Sequence, residues 1–293
     1  VIIETDQLTR EFKRRGKPKL VAVDHLDIRV EPGETVGYIG ANGAGKSTTI
    51  KMLTGILVPT SGSVRTCGLD PLKQRRELAR RVGVVFGQRS QLWWDLPTAE
   101  SFTILGAIHH LGRTELTARR DELVEQLELG EFLSTPVRQL SLGQRMRAEV
   151  AAALLHSPQL IILDEPTIGL DVLSKQRLRD FLVAERRRHG TTLLLTTHDM
   201  GDIERLCERV LVVDHGRLAY DGSLAGLSRT VGAQRVLVVD LADGTRQRIP
   251  FDAEKVTAAT VLAQASERAE VRDLSIEEPD IEDVVRRIYS AAR

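Results

Sequence analysis

The sequence predicts an α/β protein with a small α+β unit at its C-terminal end, and three features predict it. Short apolar runs at 36–39, 160–163 and 192–195 read as buried strands, and helical stretches separate them. A glycine-rich turn joins the first run directly to a helix. From about Ser228 a fresh strand-turn-strand pattern begins.

The first run and its turn carry the strongest chemical signal. Residues 34–51 read E-T-V-G-Y-I-G-A-N-G-A-G-K-S-T-T-I-K, and 40–47 spell G-x-x-x-x-G-K-S between a strand and a helix. That is a phosphate-binding loop in the context it requires. Gly40, Gly43 and Gly45 permit backbone angles and close approaches that a Cβ would block. The freed N–H groups and the helix N-terminus then point at a polyphosphate. Lys46 supplies a point charge to the terminal phosphates, and the Ser47 hydroxyl is placed for Mg²⁺.

Composition bounds the rest. The chain has 293 residues, 42% hydrophobic and 28% charged, which suits one large domain and one small one. Its 41 basic and 41 acidic residues cancel, so no electrostatic case exists for a nucleic-acid partner. Cys67 and Cys207 form no metal-type cluster, and a cytosolic protein without disulfides is expected. No apolar run approaches the roughly 20 residues of a membrane helix, and the first residues have no signal-peptide pattern. If the protein works at a membrane, another chain is expected to supply the spanning segments.

Along the chain, 1–8 and 20–30 read as strands joined by a polar turn over 14–18. Phe12, just ahead of the turn, reads as a core residue or as a platform for a purine. A strand near 63–66, a basic helix over 72–80 and a strand over 81–86 follow, ending at Gly87-Gln88. From Arg89 the character changes: both tryptophans lie in S-Q-L-W-W-D-L-P, and helices follow at 98–111 and 114–127. A helical insertion is expected there, with Trp93 and Trp94 as packing residues or a docking surface. Ser141 reads as the cap of a helix over 145–155. The strand at 160–163 ends in Asp164-Glu165, where a sheet edge would hold hydrated Mg²⁺. Glu165, one residue on, points differently and could polarise a water. A helix over 172–188 and a strand over 191–196 lead to His198 at the same edge; a helix over 200–207 and a hairpin at 209–220 follow. The terminal unit reads as strands at 235–241, 245–251 and 271–276, with helices at 253–268 and 280–290.

With these residues in view, residues 1–227 resemble the ATP-binding subunit of an ABC transporter. Residues 40–48 look like the Walker A loop, Gln88 like the Q-loop glutamine, and 140–144 like the signature. Residues 161–165 look like the Walker B strand with its glutamate, Leu170-Asp171 like the D-loop, and His198 like the switch histidine. A P-loop kinase or small GTPase would lack the signature helix and the His-terminated strand. The resemblance implies a P-loop ABC ATPase domain over 1–227: a mixed core sheet with flanking helices, an N-terminal antiparallel β subdomain, and a helical subdomain at about 89–157. An accessory α+β domain over 228–293 follows. Together 85–97 and L-S-L-G-Q-R-M-R-A-E are similar to ABC-2-type exporters of the daunorubicin-resistance-like or viologen-exporter-like kind. One departure stands out: Leu142 replaces the signature's usual glycine, which reduces backbone freedom.

The resemblance also implies the site. ATP would be held by Phe12, Gly40, Asn42, Gly43, Ala44, Gly45, Lys46, Ser47, Thr48 and Gln88, and across a dimer by Ser141, Gly143, Gln144 and Asp171. Mg²⁺ would be held by Ser47, Gln88 and Asp164. Glu165, His198 and Lys46 would be catalytic. The resemblance implies two ATPase subunits, with a second copy of this chain preferred and a heterodimer left open, and ABC-2-type permease subunits, which would keep the protein peripherally on the cytoplasmic face of the membrane. Two other readings compete: a soluble ABC ATPase handling DNA or ribosomes, and a nucleotide-sensing regulatory subunit. The short helices between Gln88 and Leu140, the single phosphate loop and the neutral charge oppose the first. Intact Glu165 and His198 oppose the second.

Overall fold

The computed structural model describes residues 1–87, 90–230, 235–242, 244–251, 255–267 and 269–277. The chain divides into two compact units, Val1–Asp221 and Gly222–Arg293, so the division falls slightly ahead of the expected 227/228 boundary.

In the first unit, β1 (Ile3–Arg14) and β2 (Lys17–Leu26) form an antiparallel hairpin. The expected turn over 14–18 shrinks to two residues. Gly16 takes the required positive φ of 69°, and Pro18 is accommodated because β2 is an edge strand. β1 also pairs with β3 (Arg29–Val30). Next come β4 (Thr35–Gly40) and α1 (Lys46–Leu53), and then β5 (Ser61–Thr66), which returns to β1. α2 (Arg75–Ala79) is shorter than the expected 72–80. The Asp70 carboxylate accepts from the Leu72 and Lys73 N–H groups, at 3.0 and 3.2 Å, and closes a turn where the helix would begin.

After β6 (Val82–Phe86) the chain makes α3 (Thr98–Ile108), α4 (Arg113–Gln126) and α5 (Leu142–Leu154) before returning to the sheet as β7 (Leu160–Asp164). α6 (Val172–His189), β8 (Thr192–Thr196), α7 (Met200–Leu206), β9 (Arg209–Asp214) and β10 (Arg217–Ser223) follow. The large sheet has the order β10-β9-β4-β8-β7-β6. β4 is parallel to β9 and β8, and β7 is parallel to β8 and β6. Every residue of β4 and β8 is buried, which is why these strands are continuous apolar runs rather than alternating ones. Tyr38, Ile50, Met52, Leu53, Ile162 and Leu194 meet in the core between the sheet and α1.

This strand order aligns the carboxyl ends of β4, β8, β7 and β6. In a parallel sheet that edge is where ligands bind. The register sets Asp164, the last residue of β7, beside Thr196, the last residue of β8, and beside Phe86 of β6.

The second unit contains α8 (Leu224–Thr230), β11 (Arg235–Leu241), β12 (Arg246–Phe251), α9 (Ala258–Ser266) and β13 (Val271–Glu277). Its three strands pair antiparallel in the order β12-β11-β13. Leu237, Val239 and Phe251 pack against Val261 and Ala265 of α9. α9 starts later than expected because Thr257 caps it, accepting from the Thr260 N–H at 3.3 Å. The helix expected over 280–290 lies outside the described residues.

Candidate active site

The turn between β4 and α1 is shaped by its glycines. Gly45 has a φ of 104°, and a Cβ there would collide with the Ala22 carbonyl oxygen. Gly40 ends β4 so close to Val213 that a side chain would not fit. Gly43 is also left-handed, Ala44 is buried, and Thr48 lies in the first turn of α1. The N–H groups of that first turn have no partner within the helix and lie at its positive end.

Lys46 is only 8% exposed. Its Nζ donates to the carbonyl oxygens of Gly40 and Ala41, at 2.5 and 3.3 Å. Burial lowers its pKa, and the Glu165 and Asp164 carboxylates oppose that shift. The Ser47 hydroxyl lies 3.4 Å from Asp164 Oδ2, while Asp164 Oδ1 accepts from the Thr196 hydroxyl at 2.5 Å. Thr196 therefore fixes the carboxylate with one oxygen turned to Ser47. A hydroxyl and a carboxylate oxygen facing each other across a phosphate loop make an all-oxygen donor set that fits Mg²⁺.

Glu165 has a φ of 57°, unusual for a residue with a side chain. The turn is held because its N–H donates to the Thr196 carbonyl at 3.0 Å. The His198 N–H donates to Glu165 Oε2 at 3.2 Å. His198 Nε2 lies 3.2 Å from Glu165 Oε1 but is not aligned with it, so that buried oxygen has no hydrogen-bond partner.

Asn42, Lys46, Ser47, Asp164, Glu165 and His198 together line one cleft of about 370 Å³. Lys51, Ile56, Phe86, Gly87 and Ile168 complete its wall. Gln88 lies outside the described residues, next to Gly87, whose N–H donates to the Asp164 carbonyl at 2.9 Å.

The remaining expected site residues stand elsewhere. Ser141 caps α5: its Oγ accepts from the Gln144 N–H at 3.2 Å, and the Gln144 side chain accepts from the Ser141 N–H at 2.9 Å. This capping box fixes the first turn of the helix. Leu142 is the first helical residue and has no positive φ, so glycine's freedom is not needed there. Asp171 caps α6, accepting from the Ser174 N–H at 2.9 Å and from its hydroxyl at 2.6 Å. These bonds to Ser174 lower its pKa. Gly143 lies against Ser174, so the two capped helix starts sit side by side. Neither start lines the cleft of the phosphate loop. Phe12 lies in β1 opposite Leu20, with the Arg10 guanidinium 4.7 Å over its ring, and does not line the cleft either.

Several residues behind the cleft gave little sign in the sequence. Asp202 of α7 is fully buried. It accepts from the Thr167 hydroxyl, from the Thr197 hydroxyl at 3.2 Å and from Arg179 Nε at 2.6 Å. This joins the segment after Glu165 to the segment before His198. An aspartate in the first turn of a short helix reads as a solvated cap, and only the fold reveals that it is enclosed. Thr196 could have been found from its place at the end of a strand adjoining Asp164.

A sequence model of the ABC transporter family matches residues 23–168. The ABC transporter ATP-binding protein NatA of Bacillus subtilis (strain 168) is 34% identical over 227 residues, covering 77% of this chain and 91% of NatA. The chain belongs to the ATP-binding subunits of ABC transporters. It is therefore an ABC ATPase. The daunorubicin resistance ATP-binding protein DrrA2 of Streptomyces coeruleorubidus is 32% identical over 300 residues, covering 94% of this chain and 92% of that protein. A solved dimeric ATP-binding cassette in a post-hydrolysis state, bound to ADP and Pi, superposes with a TM-score of 0.68 at 26% identity. That match covers 76% of this chain and 98% of the other. Among the described residues of this cassette no helix is long and apolar enough to cross a membrane.

Proposed function

We propose that this cassette is the motor of an ABC-2-type exporter, in which two copies close head to tail around two ATP molecules and drive separate permease subunits. It would act at the cytoplasmic face of the membrane, held there by those subunits. The observation that carries the reading is the carboxyl edge of the sheet, where a phosphate loop, a fixed Asp164, Glu165 and His198 share one cleft. The relatedness to a daunorubicin resistance ATP-binding protein over nearly the whole chain supports export. The solved dimeric cassette supports the pairing of two copies, and so does the absence of the signature residues from the cleft of their own phosphate loop. Kinship with transporter subunits favours this reading over DNA, ribosome or sensor roles.

In this proposal the α1 N-terminal amides and Lys46 bind the β- and γ-phosphates, and Lys46 leaves the Gly40 and Ala41 carbonyls to do so. Ser47, Asp164 and Gln88 hold Mg²⁺, which neutralises phosphate charge when bound. Glu165 Oε1 takes the proton of the attacking water as the γ-phosphoryl bond breaks to give ADP and phosphate. His198 restrains Glu165 through its N–H and contacts the γ-phosphate. Ser141 and Gly143 of the second copy present the N-terminus of α5 to that phosphate, with Gln144 and Asp171 supporting the two caps. Phe12 is assigned to the adenine. Positioning and fixed charge supply most of the acceleration in such a site.

The test is Glu165→Gln. The variant is expected to bind ATP and form a stable ATP-dependent dimer, while kcat falls at least 10²-fold, the scale of a lost general base. Near-wild-type turnover would remove Glu165 from the role of base. Failure of both proteins to dimerise in ATP would count against the pairing.

A further inference from the structure

The loop that carries both tryptophans is fastened to the signature helix by a buried carboxyl group. Glu149 lies two turns into α5 and is 5% exposed. Among the described residues it forms no ion pair. Its hydrogen-bond donors come from the 90–91 segment. The Ser90 hydroxyl donates to Oε1, the Gln91 N–H donates to Oε2 at 3.1 Å, and Gln91 Nε2 donates to the Glu149 main-chain oxygen at 3.0 Å. Ser90 Oγ in turn accepts from the Leu92 N–H at 3.1 Å. One helical turn earlier, on the same face, the Arg145 guanidinium stands 5.7 Å over the Trp94 ring. A carboxyl group is costly to bury without hydrogen-bond partners, so undocking the loop would leave it unsatisfied until water reached it. Burial pushes the Glu149 carboxyl up, and the Ser90 and Gln91 donors oppose that shift.

The sequence places Gln88 two residues before Ser90, and Ser141 caps the other end of the same helix segment. Cap and carboxylate are eight residues apart, roughly 12 Å of helix rise. We infer that Glu149 is a positioning residue that fastens the loop after Gln88 to α5, so that the Q-loop and the signature move as one body. The proposal adds this coupling to the motor function above and rests on it for its kinetic consequence. Glu149 touches no nucleotide. It acts through Ser90 and Gln91 on the approach of Gln88 to one site, and through α5 on the signature's approach to the other.

The fastening can be read directly, because Trp93 and Trp94 are the only two tryptophans of the chain and both lie in this loop. The experiment compares wild type, Glu149→Ala, Glu149→Gln and Ser90→Ala of the full chain. It measures acrylamide quenching of tryptophan emission together with kcat and KM for ATP. In Glu149→Ala the tryptophans are expected to become more quenchable and kcat to fall roughly tenfold, the scale of a slightly misplaced reacting group. KM is expected to hold, because the phosphate loop is untouched. Glu149→Gln keeps an oxygen acceptor and is expected to restore both readouts. Ser90→Ala, a loop substitution that leaves the Gln91 bonds in place, is expected to lie between, and it decides the matter if Glu149→Ala does not fold. Wild-type quenching and kcat in Glu149→Ala, or in Ser90→Ala, would overturn the assignment. So would an equal kcat loss in Glu149→Ala and Glu149→Gln with unchanged quenching. A wild-type chain that binds ATP without hydrolysing it would count against the motor function, and the quenching series would still decide whether Glu149 fastens the loop.

Discussion

Two neighbouring strand ends do most of the arranging at the candidate site. Thr196 holds Asp164 through its hydroxyl and Glu165 through its carbonyl, so a single buried residue of β8 orients both acids. Replacing Thr196 with valine would keep the shape but remove the donor. Asp164 Oδ1 would then be left unsatisfied, at a cost of about 1–3 kcal/mol, and the carboxylate would be free to turn away from Ser47. The expected outcome is a raised Mg²⁺ requirement for ATP hydrolysis with the fold retained, measured by titrating Mg²⁺ at fixed ATP alongside circular dichroism. Glu165 was legible as an acid at a strand end. Its left-handed backbone and its unpartnered Oε1 were not, because both depend on the neighbouring strand and on His198.

The helices between β6 and β7 are held to α6 by a cluster the sequence shows only as scattered charges. Arg119 of α4 is 6% exposed and donates to Glu185 of α6, to Glu122 at 2.7 Å, and to the Leu154 carbonyl at 3.4 Å. His189 Nε2 closes the group 3.0 Å from Glu122. Burial raises the Glu122 pKa, but Arg119 and His189 outweigh it and bring it down to about 2. Removing one partner of a buried pair leaves the other charge uncompensated. Glu185→Ala is therefore expected to cost about 3–5 kcal/mol, read by denaturant unfolding of the first unit. Replacing Arg119 and Glu185 together by methionine and leucine is expected to restore most of that loss. The sequence placed helices at 98–111, 114–127 and 145–155, and α3, α4 and α5 are found there, α5 beginning three residues early because the Ser141 cap is followed directly by helix. It could not place this cluster, because a charged residue at a solvated position and one facing a distant helix look the same in a one-dimensional pattern.

For the whole molecule, every described residue of the cleft falls within Val1–Asp221, and the second unit has a core of its own around Leu237, Val239 and Phe251. A chain ending at Thr230 is accordingly expected to bind ATP with the affinity of the full chain, measured by calorimetry. A large loss would assign the second unit a part in forming the site. Sequence by itself determined the phosphate loop, the acids at the end of β7, the histidine after β8 and the Ser141 cap, because each is a local pattern whose spacing is set by strand, turn and helix geometry, whereas the cap that Asp171 makes on α6 came from the structure. Sequence also determined the departure at Leu142. Tertiary structure alone decided that this leucine sits in ordinary helical backbone, that Glu149 is enclosed by the tryptophan loop, that Thr196 and Asp202 organise the cleft, and that the signature does not line the cleft of its own phosphate loop. The physical reason is that hydrogen-bond satisfaction and burial are properties of residues brought together from distant points in the chain, and no local spacing encodes them.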